Sequence, residues 1–484
     1  MPDRDYVKKQ GSRVYDVTHY DLELDYTVKS NRLLGTARID VTLRETAKEL
    51  EFDLVGLSVS DVRVDGESVR RARTRGSKLV VPLRGTSSAR RRVQVVIEYG
   101  GSPGPRLGPW GEVGFEELDD GALVAAQPDG APTWFPCNDR PSSRATYRIA
   151  VTTESAYTVV ANGEQISYVR SSGRATTVFD NPTPTAPYLA TIQVGRYSEI
   201  VPADLGKGEV PQKIYVPDRL RRRAAHDFAR QPEMMRLFVR LFGPYPFSRY
   251  DVVVTDDPLE IPLEAQSMSI FGSNHAGGQR HSERLVAHEL AHQWFGNAVG
   301  LARWRDIWLN EGFACYAEWL WWDHLGARPM TQTVARYYDA LRQEPQDLRI
   351  ADPGADRMFD DRVYKRGALA LHAVRCAVGD EQFFDLVRSW VADHHDSVVT
   401  TDDFRAHLAS VRPGLDGVLT PWIDETLLPP LPGGRGKTKA VGRTRGATST
   451  EPLADEWDEE TGTGEDSVLE RVGEAVREVF SRDR

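Results

Sequence analysis

The stretch VAHELAHQWFGN, residues 286–297, carries the pattern on which the interpretation of the chain rests. It contains His-Glu-x-x-His, with His288 and His292 four residues apart. Positions with this spacing lie on one face of an α-helix, so both imidazoles can reach one ion. Glu289 cannot easily bind the same ion, but it can reach a water molecule held by that ion. The stretch therefore predicts a zinc site with His288 and His292 as ligands and Glu289 as the general base.

A third ligand is expected, because a catalytic zinc usually takes three protein ligands and leaves one position for water. The best candidate is Glu311 in WLNEGFACYAEW (308–319), separated from His292 by eighteen residues. We expect Glu311 in a second amphipathic helix that packs against the first. Glu318 lies two turns further along the same face and can orient a zinc-bound histidine by a hydrogen bond. An ordinary salt bridge or a surface position is an equal alternative for Glu318.

These residues predict a hydrolytic reaction with one zinc ion per chain. Zinc lowers the pKa of a bound water toward ~7, and a neighbouring carboxylate can then accept its proton. The same carboxylate can pass the proton to a leaving amine. With Glu289 in this role, the predicted reaction is peptide hydrolysis.

Composition excludes several other classes of protein. The 484 residues are 40% hydrophobic and 27% charged, as in folded globular chains. The net charge of -10 argues against nucleic acid as a partner. Cys137, Cys315 and Cys376 form no CxxC pair, which favours a reducing compartment. The charged start MPDRDYVKKQGSR and the absence of a long apolar run predict a cytoplasmic enzyme without a transmembrane segment.

The hydrophobic pattern changes along the chain and predicts separate units. Residues from about 19 to 200 alternate with period two, as in YDLELDY (20–26) and TARIDVTL (36–43), which predicts an antiparallel β-sandwich or saddle. Beyond residue 217 the period is helical, as in 218–243. The predicted units are a β domain, a mainly helical catalytic domain, a disordered linker and an amphipathic terminal helix, with boundaries at 1–202, 203–432, 433–465 and 466–484.

The terminal segment 466–484 has one apolar helical stripe. It includes Val468, Leu469, Val472, Ala475, Val476, Val479 and Phe480. One alternative is that the helix docks on its own protein or stays solvated. The other is that it binds a partner. Both alternatives remain open at the level of sequence.

HELAHQWFGN followed by WLNEG resembles the aminopeptidase N family of zinc peptidases, which also includes leukotriene hydrolase. Further landmarks occur in the family's order and extend the resemblance over residues 19 to about 430. They are HYDLELD (19–25), WFPCNDRPSSRATY (134–147), YLATIQVGRY (188–197), GPYPFSRYD (243–251) and YKRGALALHAVR (364–375). The resemblance implies a multi-domain α+β fold, with an N-terminal β-saddle on a thermolysin-like, mainly helical catalytic domain and the active site between them.

The resemblance also implies three roles in substrate binding and catalysis. Tyr364 would donate its hydroxyl to the oxyanion of the tetrahedral intermediate, although Arg366 stands where the family usually has Lys. Glu264 would bind the free α-amino group of the substrate, although its neighbours in IPLEAQ (261–266) depart from the family's Gly-x-Met-Glu-Asn. Gln127 is a candidate for the rim of the substrate pocket, two positions from the gapless match.

The leading hypothesis is therefore a zinc-dependent aminopeptidase, a metalloprotease of peptide catabolism that acts on peptides with a free N-terminus. The alternatives are another zinc hydrolase, either an endopeptidase or an epoxide hydrolase, and a catalytically silent peptide-binding scaffold. The chain looks like a short form without the long C-terminal helical domain of many family members. His281, His372 and His407 have no partner at ligand spacing and are expected in packing or surface roles.

Overall fold

The computed structural model describes residues 6–432 with the exception of residue 8. The predicted linker 433–465 and terminal helix 466–484 lie outside the described residues, so both stay predictions. The domain boundary predicted at 202/203 also stays a prediction.

The first part of the described chain is built from strands. Their bounds are β1 Tyr15–Thr27, β2 Arg32–Leu43, β3 Ala47–Asp53, β4 Ser58–Val64, β5 Glu67–Ser68, β6 Arg73–Arg75, β7 Lys78–Ser87, β8 Arg92–Gly101, β9 Arg106–Gly108, β10 Gly111–Leu118, β11 Gly121–Ala125, β12 Ala145–Glu154, β13 Thr158–Ala161, β14 Glu164–Ser171, β15 Arg174–Thr185 and β16 Ile192–Gly195. Alternation decides which side chains enter the core, since Tyr20, Leu22 and Leu24 of β1 are buried and their neighbours less so.

These strands form three sheets. The largest has eight strands in the order β14-β15-β12-β1-β2-β8-β4-β5, and it is accompanied by a five-stranded sheet β13-β16-β11-β10-β9 and a three-stranded sheet β3-β7-β6. Most neighbours are antiparallel, as predicted, but β1 and β12 are parallel. A parallel pair needs a long connection, and the strands between β2 and β11 supply it.

The second part combines a smaller sheet with helices. Its strands are β17 Tyr197–Ile200, β18 Gln212–Pro217, β19 Tyr250–Val254, β20 Leu263–Ala265, β21 Met268–Phe271, β22 Val299–Leu301 and β23 Ser397–Val399. Its helices are α1 Arg221–Asp227, α2 Gln231–Phe242, α3 Glu283–Ala291, α4 Trp308–Leu325, α5 Met330–Leu341, α6 Asp361–Val378, α7 Asp380–His394, α8 Thr401–Val411 and α9 Thr420–Ile423. A β-rich domain followed by a helical domain confirms the predicted fold class.

Two local differences from the predicted pattern have clear causes. The helical stretch 218–243 is divided into α1 and α2, because Pro232 in the first turn of α2 cannot continue a preceding helix. The helix α4 is buried from Trp308 to Trp321 on all its faces, rather than on one stripe. It therefore forms the centre of the helical core, with α3 and α6 beside it.

Candidate metal centre and substrate cleft

The two histidines lie at the C-terminal end of α3, and Glu311 lies in the first turn of α4. The Nε2 atoms of His288 and His292 are each 3.4 Å from Oε2 of Glu311. Two ligand atoms about 2.1 Å from a tetrahedral zinc ion lie about 3.4 Å apart. The spacing of the three side chains therefore fits zinc.

Hydrogen bonds on the far side of each ring define which nitrogen faces the triad. His288 donates from Nδ1 to Oε1 of Glu318 at 2.6 Å, and His292 donates from Nδ1 to the carbonyl oxygen of Phe295 at 3.0 Å. A carboxylate or carbonyl oxygen can only accept, so the proton of each neutral ring lies on Nδ1. The lone pairs of both Nε2 atoms are then available to a metal.

The carboxylate of Glu318 is buried and is held by a second cation. Arg284 donates from Nη1 to Oε2 of Glu318 at 3.0 Å. Burial alone would raise the pKa of Glu318, but Arg284, Lys365 and His288 lower that pKa to about 2. Glu318 is therefore ionised beside His288, as a carboxylate that orients a metal-ligating histidine must be.

Glu289 is buried beside the triad, with 4% of its surface exposed. Its Oε2 atom has no hydrogen-bond partner within the described part of the chain. Burial raises the pKa of Glu289 to about 7, against the lowering effect of His288 and His292. A buried, unpaired carboxylate oxygen next to a metal triad is available for a water molecule or a substrate proton.

Glu264 and Gln127 come together across the two domains. Glu264 lies on β20, and Gln127 follows β11 in the β domain. Gln127 donates from Nε2 to Oε1 of Glu264 at 2.7 Å. Ligand atoms of Glu264, Glu289 and His292 lie within 4.8 Å of one another, so this pair is next to the metal triad.

The strand that carries Glu264 is held on both sides by polar side chains that the sequence interpretation did not single out. Gln293 and Asn297, which follow the second histidine, both donate to the carbonyl oxygen of Ala265, at 3.2 and 2.9 Å. From the β domain, Asn162 donates to the carbonyl oxygen of Gln266 at 2.8 Å. Gln293 and Asn297 lie inside the stretch 286–297, so their closeness to the histidines could have indicated a role at the site. Asn162 lies more than a hundred residues earlier, and no sequence pattern links it to the site.

Tyr364 lies near the start of α6, and its ring is stacked beside that of His288 with centroids 6.0 Å apart. The close approach of α6 to α4 depends on two glycines. A Cβ atom added at Gly312 would lie 3.0 Å from the backbone of Gly367, and one at Gly367 would lie 2.9 Å from Cα of Gly312. The small residues thus bring Tyr364 toward the triad.

Arg366, the departure from the family's usual Lys, points away from the triad. Its guanidinium donates to backbone carbonyl oxygens in the segment that follows α9, including those of Glu425 at 2.6 Å and Thr426 at 2.7 Å. Burial lowers the pKa of Arg366 to about 10. The substitution therefore concerns packing of the chain near residue 425 rather than the cleft.

The remaining histidines do not join the triad. His372 is bonded to Tyr316, and His407 is bonded to Ser389 and to the carbonyl oxygen of Leu386. His281 is exposed on the segment before α3. Among the described residues, no helix has the length and apolar character of a membrane span.

The ligand set of α3 and α4, with a spare buried carboxylate beside it, is that of a zinc metallopeptidase. A family model described as the peptidase M1 N-terminal domain matches residues 16–189, and one described as the peptidase family M1 domain matches residues 228–422. The chain belongs to peptidase family M1. Zinc is the cofactor that the family and the triad imply.

Solved structures of M1 zinc metallopeptidases from Deinococcus radiodurans are similar over most of the chain. One is a variant bound to the substrate Tyr-Ser-Ala, which is 28% identical in sequence with a TM-score of 0.80. The match covers 88% of this chain and 98% of the Deinococcus chain. A two-domain M1 metallopeptidase variant bound to L-arginine is also 28% identical, with a TM-score of 0.80 and coverage of 90% and 99%.

Curated relatives are named as aminopeptidases. A leucyl aminopeptidase of Saccharolobus solfataricus is 24% identical over 395 residues, which are 76% of this chain and 48% of the relative. Endoplasmic reticulum aminopeptidase 1 of Homo sapiens is 26% identical over 322 residues, 61% of this chain and 34% of the relative. The chain thus spans about half the length, or less, of these relatives.

Proposed function

We propose that this chain is a zinc-dependent aminopeptidase that hydrolyses the N-terminal peptide bond of short peptides. The observation that carries the proposal is the buried carboxylate of Glu264, oriented by Gln127 and adjacent to Glu289 and His292. A buried carboxylate at this place favours a substrate ammonium, because a charge-assisted pair compensates for loss of solvation. It disfavours a peptide whose amine is blocked.

Each step of the proposed reaction uses a residue of this chain. Glu264 binds the α-amino group and so determines which peptide bond reaches the triad. The backbone of β20 supports the substrate, because this strand is the last of its sheet among the described residues and an extended peptide can pair with such an edge.

Glu289 and Tyr364 are proposed to act on the scissile bond. Zinc, bound by His288, His292 and Glu311, would supply polarisation of the attacking water and of the carbonyl. Glu289 accepts the proton of that water and passes it to the leaving amine. The Tyr364 hydroxyl donates a hydrogen bond to the oxygen on which negative charge develops. Burial holds the pKa of Tyr364 well above its usual value, so the hydroxyl keeps its proton for that bond.

The substrate class is proposed to be peptides with a free N-terminus, as the bound Tyr-Ser-Ala of the similar Deinococcus protein suggests. A role in peptide catabolism in the cytoplasm is part of the same proposal, supported by three cysteines that are free thiols. Cell fractionation followed by an activity assay would test the location, and activity found only outside the cytoplasm would contradict it.

The test of function is a panel of aminoacyl p-nitroanilides, each with a free and an acetylated amine, assayed with and without a zinc chelator. We expect cleavage of the free-amine substrates only, and loss of activity with the chelator. Glu264→Gln should raise KM for free-amine substrates by about tenfold or more. Glu260→Gln, on the exposed loop just before β20, is the matched control and should leave KM unchanged. Equal cleavage of acetylated substrates would refute the aminopeptidase assignment.

A further inference from the structure

A hairpin of the β domain reaches the catalytic domain. The segment 103–111 is rich in proline and glycine. It contains β9 and leads into β10, and the two strands pair at Gly108 and Gly111. We call residues 105–113 the bridging hairpin. At its base, Arg106 forms an ion pair of 2.9 Å with the buried carboxylate of Asp129. Asp129 is two residues beyond Gln127, so the base of the hairpin is joined to the loop that contacts Glu264.

The tip of the bridging hairpin contacts the catalytic domain through Trp110. Its Nε1 atom donates to the carbonyl oxygen of Ala355 at 3.0 Å. Its ring meets that of Phe359 edge to face, with centroids 6.4 Å apart. Leu107, on the same hairpin, is 74% exposed. Trp110 therefore contacts the catalytic domain, whereas the side chain of Leu107 is largely in solvent.

The segment that Trp110 contacts leads directly into the helix of Tyr364. Phe359 is followed by Asp360, whose side chain caps α6 by accepting from the backbone N–H of Arg362 at 3.0 Å. The short turn Ala355–Arg357 buries none of its residues. Met358, which follows the turn, is buried in the helical core. The contacts of Trp110 with Ala355 and Phe359 therefore restrain the approach to α6.

We propose that Trp110 is a positioning residue for Tyr364, and that the bridging hairpin sets the distance between the amine-binding side of the cleft and the oxyanion side. One end of the hairpin is joined to the Gln127 loop, and the other to the start of α6. Gly367, three residues beyond Tyr364 in α6, is held by its contact with Gly312 of α4. Trp110 contacts the segment that enters α6 on the N-terminal side of Tyr364, and the glycine contact lies on its C-terminal side. This inference rests on the proposed role of Tyr364.

The test is a double-mutant cycle of Trp110→Ala and Tyr364→Phe in the zinc-loaded full chain, with kcat and KM measured on one free-amine p-nitroanilide. Alone, Trp110→Ala should lower kcat by about tenfold with a smaller change in KM, because displacement of a catalytic group by a fraction of an ångström has effects of this size. In the Tyr364→Phe background it should lower kcat by less than about twofold, since the group it positions is then absent.

The controls separate positioning from folding. Trp110→Phe keeps a ring against Phe359 and loses only the hydrogen bond to Ala355, so it should retain most of kcat. Leu107→Ala changes the same hairpin at an exposed position and should leave kcat unchanged. Zinc content and thermal unfolding of every variant report whether the protein is intact.

The outcomes distinguish this inference from the proposed function. If Trp110→Ala lowers kcat equally with Tyr and with Phe at position 364, Trp110 does not act through Tyr364 and the inference fails. If Tyr364→Phe by itself leaves kcat unchanged, the proposed role of Tyr364 fails. If Trp110→Phe is as impaired as Trp110→Ala while both remain folded, the hydrogen bond to Ala355 alone carries the effect, and the contribution assigned to the Phe359 contact is wrong.

Discussion

At the scale of single residues, the metal triad depends on groups that do not face the metal position. Glu318 accepts the hydrogen bond from Nδ1 of His288 and is itself held by Arg284, whose side chain is only partly buried. A neutral histidine can present either nitrogen to a metal, so a fixed acceptor on the other side of the ring decides the tautomer. The affinity of the site for zinc should therefore depend on Glu318 as well as on the ligands.

Glu318→Ala tests this dependence. The variant loses the acceptor for His288 and leaves the largely buried Arg284 without its carboxylate. We expect zinc affinity to fall by about 10- to 100-fold, and the free energy of unfolding to fall by about 3–5 kcal/mol because a buried charge is left uncompensated. Chelator competition and chemical denaturation measure the two quantities.

The control for Glu318 is another pair of the same chemistry away from the site. Glu233 and His324 are 3.3 Å apart and partly exposed. Glu233→Ala should leave zinc affinity unchanged. Wild-type zinc affinity in Glu318→Ala would show that the Phe295 carbonyl and the ligands suffice, and would contradict the proposed orienting role of Glu318.

At the scale of secondary-structure elements, the contact between α4 and α6 brings the third ligand and Tyr364 into one site. The two helices meet at Gly312 and Gly367. Gly312 directly follows Glu311, and Gly367 lies three residues after Tyr364. Helices that approach this closely have no room for a side chain between their backbones. The glycines in NEG and YKRG therefore have a packing explanation that is separate from the chemistry of their neighbours.

Gly367→Ala should push the helices apart. The added Cβ would lie 2.9 Å from Cα of Gly312, and backbone atoms cannot move aside as a flexible side chain can. We expect a loss of about 1–3 kcal/mol in the free energy of unfolding, as for other overpacked cores. A lower kcat should accompany it, because Tyr364 is less than one turn away. Denaturant titration and steady-state kinetics measure these changes.

The matched control is Gly417→Ala, where an added Cβ would meet no atom within 4 Å. It should leave both stability and kcat close to those of the wild type. If Gly367→Ala were as stable and active as Gly417→Ala, the helices would have room to move apart, and the contact would not be what determines the position of Tyr364.

At the scale of the whole molecule, Gln127 and Glu264 come from the two domains, and further polar contacts join the domains beside the metal triad. Arg144, at the edge of the β domain, donates from Nη2 to the carbonyl oxygens of Pro184 and Asn297, both at 2.7 Å. Asn297 in turn holds the strand of Glu264 through Ala265. Burial lowers the pKa of Arg144. A single guanidinium thus connects the β domain, through Asn297, to the strand that carries Glu264.

Arg144→Leu should weaken this connection. It removes the donor to two carbonyl oxygens in part-buried hydrogen bonds, so we expect the free energy of unfolding to fall by about 1 kcal/mol for each bond lost. Because Asn297 would be less constrained, KM for free-amine substrates should rise more than kcat falls. Denaturation and kinetics on the same preparation measure both effects.

Arg148→Leu, on the strand β12 that directly follows Arg144, provides the comparison. Arg148 pairs with Asp21 at 2.8 Å on a partly exposed face of the large sheet, where such a pair contributes about 1 kcal/mol or less. It should leave KM unchanged. An Arg144→Leu variant that behaves like Arg148→Leu would show that the domains keep their relative position without this connection.

The sequence by itself was enough for the features that depend on local spacing. Period-two alternation predicted the buried positions of strands such as β1, and the four-residue spacing of His288 and His292 predicted their common helix face. The motifs predicted family membership, which the comparisons confirm. These predictions succeed because one element, or a short interval between two elements, contains all the information they need.

Contacts between distant segments were decided only by the tertiary structure. Gln127 and Glu264 are 137 residues apart, and no local pattern relates them. The burial of α4 on every face was missed for the same reason, since burial depends on how many elements surround a helix rather than on its own period. The bridging hairpin owes its position to contacts with Asp129 at one end and Phe359 at the other. Such contacts form between residues far apart in the chain, and the spacing of residues within one segment does not predict them.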